Sequence, residues 1–230
     1  MFIRVIVLVL FVLSPVSTLA ESLYVFVPTE MRANKLEQKI GAYCDDIDVT
    51  VFGRAKDFHK KLKSEPPNAI LSLQPVIEQN SLFNKALMGI KNGVSNERYV
   101  LVSIKTPINY SDLPNTKLGA VDLLGRKPML EFVKDALNSP VKLKRVTKVE
   151  DLLPLITFGA VDAILLSESQ FNDLKERSNL DLVASDIQLK IGLASAARTQ
   201  DFNKKRLNDC LLAFDKNLNL TLGVDKWRTL

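Results

Sequence analysis

The chain is poor in the residues that most often carry chemistry. Among 230 residues there is one histidine, His59, and there are two cysteines, Cys44 and Cys210. Neither cysteine sits in a CxxC pair or beside a histidine, so thiol redox and nucleophilic roles have no local support. No GxSxG, HExxH, P-loop or GxGxxG pattern occurs, which removes the commonest hydrolase, metalloprotease and nucleotide-binding signatures. His59 lies among lysines in RAKDFHKKL and reads as a partly exposed helix residue rather than a general base. Asp45, Asp46 and Asp48 lack the glycine and distal glutamate of a calcium loop and read as a polar turn. No catalytic residue, metal or cofactor is expected, and the chain is not expected to be an enzyme.

Low-complexity tracts, long linkers and charge blocks are also missing. Arg4 is the only charged residue of the first twenty, and beyond them 30 basic residues face 26 acidic ones. The two signs are interleaved, as in RVTKVEDLL, with no basic or aromatic-basic stripe, so nucleic acid is not an expected partner. The one long apolar run, MFIRVIVLVLFVLSPVSTLA, has the parts of a secretory signal peptide: Arg4, an apolar stretch from Val5 to Leu13, and Thr18-Leu19-Ala20 as a small-x-small cleavage site. It falls short of the about 20 apolar residues that a membrane-spanning helix needs. Cleavage after Ala20 leaves no cysteine for a lipid, so a soluble, monomeric periplasmic product is expected. In that compartment Cys44 and Cys210 either form a disulfide or remain two buried thiols, and the sequence leaves both open.

From residue 21 onward, strand and helix signals alternate. SLYVFV, IDVTVF and AILSL read as strands. Leu36, Ile40 and Tyr43 fall on one helical face between the first two, and Ala55, Phe58 and Leu62 on another before the third. Such a series implies a parallel sheet with right-handed crossovers. RYVLVSIKT, at 98–106, is a further extended segment. A second unit follows with KLGAVDLL, a helix over 128–137, the strand VKLKRV, a helix marked by Val149, Leu152, Leu153 and Ile156, the strand DAILL and a short helix near 169–177. The closing third has strand-like segments and one helix, NKKRLNDCLLAFDKNL, with Leu207, Leu211, Phe214 and Leu218 in register. The pattern predicts two α/β lobes, 21–103 plus 188–230 and 104–187, joined by crossovers near 103–107 and 184–190.

DLPNTKLGAVDLLGRKP and EDLLPLITFGAVDAILLSES give the chain a resemblance to the type II periplasmic solute-binding proteins, particularly the small phosphonate- and amino-acid-binding members. The order of elements matches over residues 22–228. The resemblance implies a two-lobed α/β fold, each lobe a mostly parallel sheet flanked by helices. It also implies capture of a small polar or anionic ligand between the lobes for an ABC-type transporter permease. A membrane sensor is the alternative partner, and a ligand-free interaction protein a further one. The chain departs from the family where phosphonate and phosphate binders carry a Ser-Thr-Ser-Gly type run. Here that position reads Leu123-Leu124-Gly125-Arg126-Lys127-Pro128, so Arg126 and Lys127 either attract an anion or form a solvated turn.

Ligands of open parallel sheets bind beyond the carboxyl ends of the strands. That rule nominates Thr29, Glu30 and Arg32, then Gly53 and Arg54, then Ser72 and Gln74 in the first lobe. In the second it nominates Asp122, Gly125, Arg126, Ser167 and Ser169. The tetrapeptide GAVD occurs at both 119–122 and 159–162. In the first copy it ends a strand, making Asp122 a ligand candidate; in the second it precedes one, making Asp162 a structural residue at the opposite edge.

Overall fold

The computed structural model describes residues 21–230; the expected signal peptide lies outside the described residues. Strands β1 (Glu21–Phe26), β2 (Ile47–Val51) and β3 (Ala69–Leu73) form in turn, with β1 pairing parallel to both others. Compact apolar runs suit such strands because both faces are covered, and every residue of β3 is buried. Between them α1 (Ala33–Gly41) turns Leu36 and Ile40 into the core, and α2 (Ala55–Ser64) turns in Ala55, Phe58 and Leu62, as the helical spacing requires. After α3 (Gln74–Glu78), β4 (Asn84–Ile90) follows.

Residues 91–95 carry the chain out of this sheet. Asn92 and Gly93 hold φ of 50° and 82°, and Lys91 and Val94 bridge each other, which is the left-handed turn that Asn-Gly favours. The second sheet then takes β5 (Asn96–Ile104), β6 (Lys117–Val121), β7 (Lys142–Val146), β8 (Ala163–Ser167) and β9 (Leu182–Gly192). Its helices are α4 (Arg126–Leu137), α5 (Leu152–Thr157) and α6 (Glu168–Arg177). The chain returns through β10 (Ala194–Arg198), α7 (Lys204–Leu212), α8 (Lys216–Thr221) and β11 (Lys226–Thr229). The sheets are ordered β11-β4-β10-β3-β1-β2 and β7-β6-β8-β5-β9. Parallel pairing holds for β2-β1-β3 and β7-β6-β8, and the other strands join antiparallel.

Two sequence expectations need correction. The passages between sheets lie at 91–95 and at Leu193, not near 103–107 and 184–190. The reason is that β5 and β9 pair along their whole length, from Asn96 opposite Gly192 to Ile104 opposite Leu182, so both belong to the second sheet and the turn-rich PINYSDLPN is internal to it. The closing helix is also two helices. Asp215 starts α8 by accepting a hydrogen bond from Leu218 N at 2.7 Å, an N-cap that breaks the run. Leu207, Leu211, Phe214 and Leu218 are nevertheless all buried. β4 and β11 had no recognisable signal in the sequence.

One continuous cluster of buried apolar side chains runs from the first sheet into the α4 side of the second, and a smaller one, including Val100, Leu152, Ile156 and Ile164, fills the other side of the second sheet. Cys44 and Cys210 are joined, tying the turn after α1 to α7 across 166 residues of sequence. Among the described residues no helix is long and apolar enough to cross a membrane.

Replacing both cysteines by serine is expected to lower unfolding free energy by about 2–5 kcal/mol, measured by urea denaturation, with the reduced wild type matching the variant. At Asp215 the N–H of Leu218, followed by weaker contributions that include a hydrogen bond from Tyr43, holds the carboxyl below its ordinary range. A depressed folded-state pKa adds stability above the unfolded value, about 3.9 for aspartate, and loses it as pH falls through the folded value. Asp215→Ala should therefore lower the urea midpoint at neutral pH, and the difference from wild type should close on acidification through that range.

Candidate functional site

The carboxyl ends of β1 and β2 in the first sheet face those of β6 and β7 in the second. Pro28 ends β1, having no N–H to donate to a ladder, and Thr29 Oγ1 accepts a hydrogen bond from Met31 N at 3.2 Å to shape the turn. Arg32 then occupies the N-cap of α1 with extended backbone, makes no capping hydrogen bond, and is followed by no acidic residue in the first turn. This inverts the usual arrangement, in which acidic or hydroxyl side chains satisfy the positive end of a helix. Opposite α1, the segment after β7 presents Thr147 and Lys148.

A cavity of about 210 Å³ lies between these segments. Thr29, Glu30, Arg32, Thr147 and Lys148 supply its polar wall, and Phe26 and Phe52 are among its apolar lining. Phe26 stacks on the fully buried Phe58 at 5.3 Å between ring centroids, and Phe52 meets Phe58 edge-on at 5.6 Å, so this wall is held by packed aromatic pairs. A second cavity, about 170 Å³, lies toward the passages between sheets and is lined by Lys91, Glu97, Tyr99, Ser167, Ser169 and Gln170. Burial, with the Glu97 charge adding to it, pushes the Tyr99 phenol well above its ordinary pKa. The two cavities are separated by a gap of about 20 Å³ bounded by Pro28, Tyr99, Leu123, Val149, Gln170 and Ile191.

Side chains also cross directly between the lobes. His59 Nε2 lies 3.1 Å from the Leu123 carbonyl, placed to donate to it, and Arg177 pairs with Glu30 at 3.5 Å at the exposed mouth. Glu97 accepts from Lys91 at 3.0 Å and from Ser169 at 2.5 Å beside the passages.

The structure brings together only part of the nominated set. Thr29, Glu30, Arg32 and Gly53 line the first cavity, and Ser167 and Ser169 the second. Arg54 points to solvent and pairs with Asp57 at 2.7 Å. Ser72 is fully buried and donates to the Phe26 carbonyl. Gln74 bonds Glu78 at 2.6 Å and packs on Gly192, where an added Cβ would stand 2.5 Å from the Gln74 Cβ. Asp122 accepts from Gly125 N at 2.9 Å and pairs with Arg145, so both its oxygens are engaged within the lobe. Gly125 holds φ +83° at the start of α4, which a residue with a Cβ adopts only with strain. Arg126 and Lys127 are exposed, and neither they nor Arg54, Ser72, Gln74, Asp122 or Gly125 line either cavity. Ser167, although it lines the second cavity, caps α6 in a reciprocal box with Gln170. Asp162 accepts from Lys117 N at 2.7 Å and donates its own N–H to the Lys117 carbonyl at 2.8 Å, a clamp at the opposite strand ends.

Thr147 and Lys148 were missed, although the strand-end rule applied to VKLKRV would have found them. Tyr99 and Glu97 sit inside a strand, where no sequence signal distinguishes them. The Asp122–Arg145 pair yields a prediction. Asp122→Ala and Arg145→Ala are each expected to cost about 1–3 kcal/mol, and the double variant no more than the larger single one. Urea denaturation of the double-mutant cycle measures this; additive losses would show that the two residues act separately.

No family model matches the sequence, and no curated protein matches it. Solved structures do match in shape. XAC2383 from Xanthomonas citri, solved with ATP bound, superposes with a TM-score of 0.64 at 14% identity, covering 91% of each chain. The binding component of a phosphonate ABC transporter from Pseudomonas aeruginosa gives 0.62 at 9% identity, covering 92% of this chain and 82% of that one. The second Venus flytrap domain of BvgS from Bordetella pertussis gives 0.54 at 13% identity, covering 88% and 91%. These likenesses establish the architecture: the chain has the two-lobed type II periplasmic binding protein fold.

Proposed function

We propose that this protein is an exported, non-enzymatic solute-binding protein that holds a small anionic ligand between its lobes and works with a membrane partner, an ABC-type transporter. The observation that carries the reading is the cavity at the facing strand ends, with Arg32 on one wall, Lys148 on the other and the uncapped start of α1 beside it. Exposed helix N–H groups and two cations from different lobes favour an anion over a neutral solute. An anion contacted by both lobes also favours their closed arrangement over an open one. The disulfide fits an oxidising compartment. The histidine is engaged with the Leu123 carbonyl, so no acid–base role is assigned to it.

A second reading has its own support. Leu123 and Leu124 are each only 4% exposed, at the place where the resemblance leads one to expect hydroxyls. Apolar packing there favours a protein whose lobes are held together without a solute and whose surface is read by a membrane sensor or assembly partner.

Thermal unfolding across a panel of phosphonates, small carboxylates and amino acids separates the readings. A ligand at a hundred times its Kd is expected to stabilise the fold by about 2.7 kcal/mol. Arg32→Ala and Lys148→Ala should each weaken the stabilising compound about tenfold or more, since a hydrogen bond to a charged group is worth about 1.5–3 kcal/mol. No shift with any compound, together with co-purification of a membrane protein, would replace the transport reading by the second one.

A further inference from the structure

We infer that the cavity selects an acid with an apolar body and no ammonium group, and so discriminates against amino acids. The inference rests on the binding reading above and narrows its ligand class.

Three charged side chains line the cavity: Arg32, Lys148 and Glu30. An ammonium group brings three donors and needs acceptors, of which a carboxylate is the strongest. Glu30 is the one carboxylate available, and it is turned outward to Arg177 at the mouth, where both side chains are more than half exposed. The neighbouring acids are already engaged. Asp122 is held by Gly125 N and Arg145, and Glu37 accepts from Val51 N at 2.9 Å. Arg32 and Lys148 have no ion pair among the described residues, so the wall offers two cations for one acidic head. Around them Phe26, Phe52, Val51, Val121 and Val149 offer apolar surface, which suits a short alkyl or aromatic body and would desolvate an ammonium without replacing its water. The cavity, about 210 Å³, opens at Thr29, Glu30 and Arg32 onto a wider cleft of about 790 Å³ whose further lining adds the cation Lys35 and no carboxylate.

Calorimetric titration of the mature protein with matched pairs tests this. The pairs are phenylpropionate and phenylalanine, isocaproate and leucine, and propylphosphonate and aminopropylphosphonate. The member without the amino group is expected to bind at least about tenfold tighter in the pair that fits, the loss caused by one unsatisfied charged group. Glu30→Gln is expected to tighten that acid further, because it removes the only negative charge from the wall. If the amino member binds as tightly or more tightly, and Glu30→Gln weakens it, Glu30 is an ammonium anchor and the inference is overturned while the binding reading stands. If no member of any pair binds and no other acid raises the melting temperature, the binding reading itself fails.

Discussion

The antiparallel pairing of β5 with β9 is the constraint on which the rest depends. These strands enter and leave the second sheet side by side, and the strands before and after them, β4 and β10, are also paired in the first sheet. The two passages therefore form one ribbon between the sheets, tied across by the hydrogen bond from Leu193 N to the Ser95 carbonyl at 3.0 Å. A ribbon this short keeps the sheets next to each other. Their parallel strands then present their carboxyl ends across a common seam, which is where an open α/β sheet binds its ligands. Gly192 and the Asn92-Gly93 turn are the positions where the ribbon needs glycine or left-handed backbone. At Gly192 the side chain of Gln74 fills the space a Cβ would take.

The helix starts differ along the chain: α1 to α5 make no side-chain capping hydrogen bond, and α6 to α8 do. Away from the cavity, α6, α7 and α8 are capped by Ser167, Asn203 and Asp215. At the cavity, α1 begins with an uncapped arginine. The free edge of β2 is treated with similar care, Glu37 accepting the N–H of Val51. α2 likewise begins at an arginine without a side-chain cap, but Arg54 is paired with Asp57, whereas Arg32 has no ion pair among the described residues and lines the cavity. The cost to α1 is offset by the disulfide just beyond its end and by Leu36 and Ile40, both almost wholly buried.

The fold was legible in the sequence wherever burial was one-sided or complete. AILSL and DAILL read as strands, and the Ala55–Phe58–Leu62 stripe as a helix face, and each forms as read. Legibility ended where the decisive partner was distant. Nothing in RYVLVSIKT says whether it pairs with the first sheet or the second, because that choice belongs to β9 some ninety residues later, and so the lobe boundary was misplaced. The site was legible in part for a related reason. A strand-end rule says where a side chain emerges but not what it meets. Thr29, Glu30 and Arg32 face the cavity, whereas Arg54 is met by Asp57 and Ser72 by the Phe26 carbonyl. The two GAVD copies show the same limit. Asp162 takes the structural place its position implies, and Asp122 emerges at the ligand edge only to be held by Arg145 and Gly125.

Leu123 and Leu124 decide how the lobes can move. Both are buried in the cluster that also contains the first-lobe core, and the Leu123 carbonyl faces His59 on α2. Parting the lobes would return apolar surface to water at about 25 cal/mol per Å² and would leave that carbonyl to find another donor. Closure is thus favoured by contacts that involve no ligand. A ligand shifts such an equilibrium only through the difference in its contacts with the two states. Arg32 and Lys148 come from different lobes to line one cavity. The apolar seam therefore sets how readily the lobes meet, and the cavity beside it takes one cation from each of them.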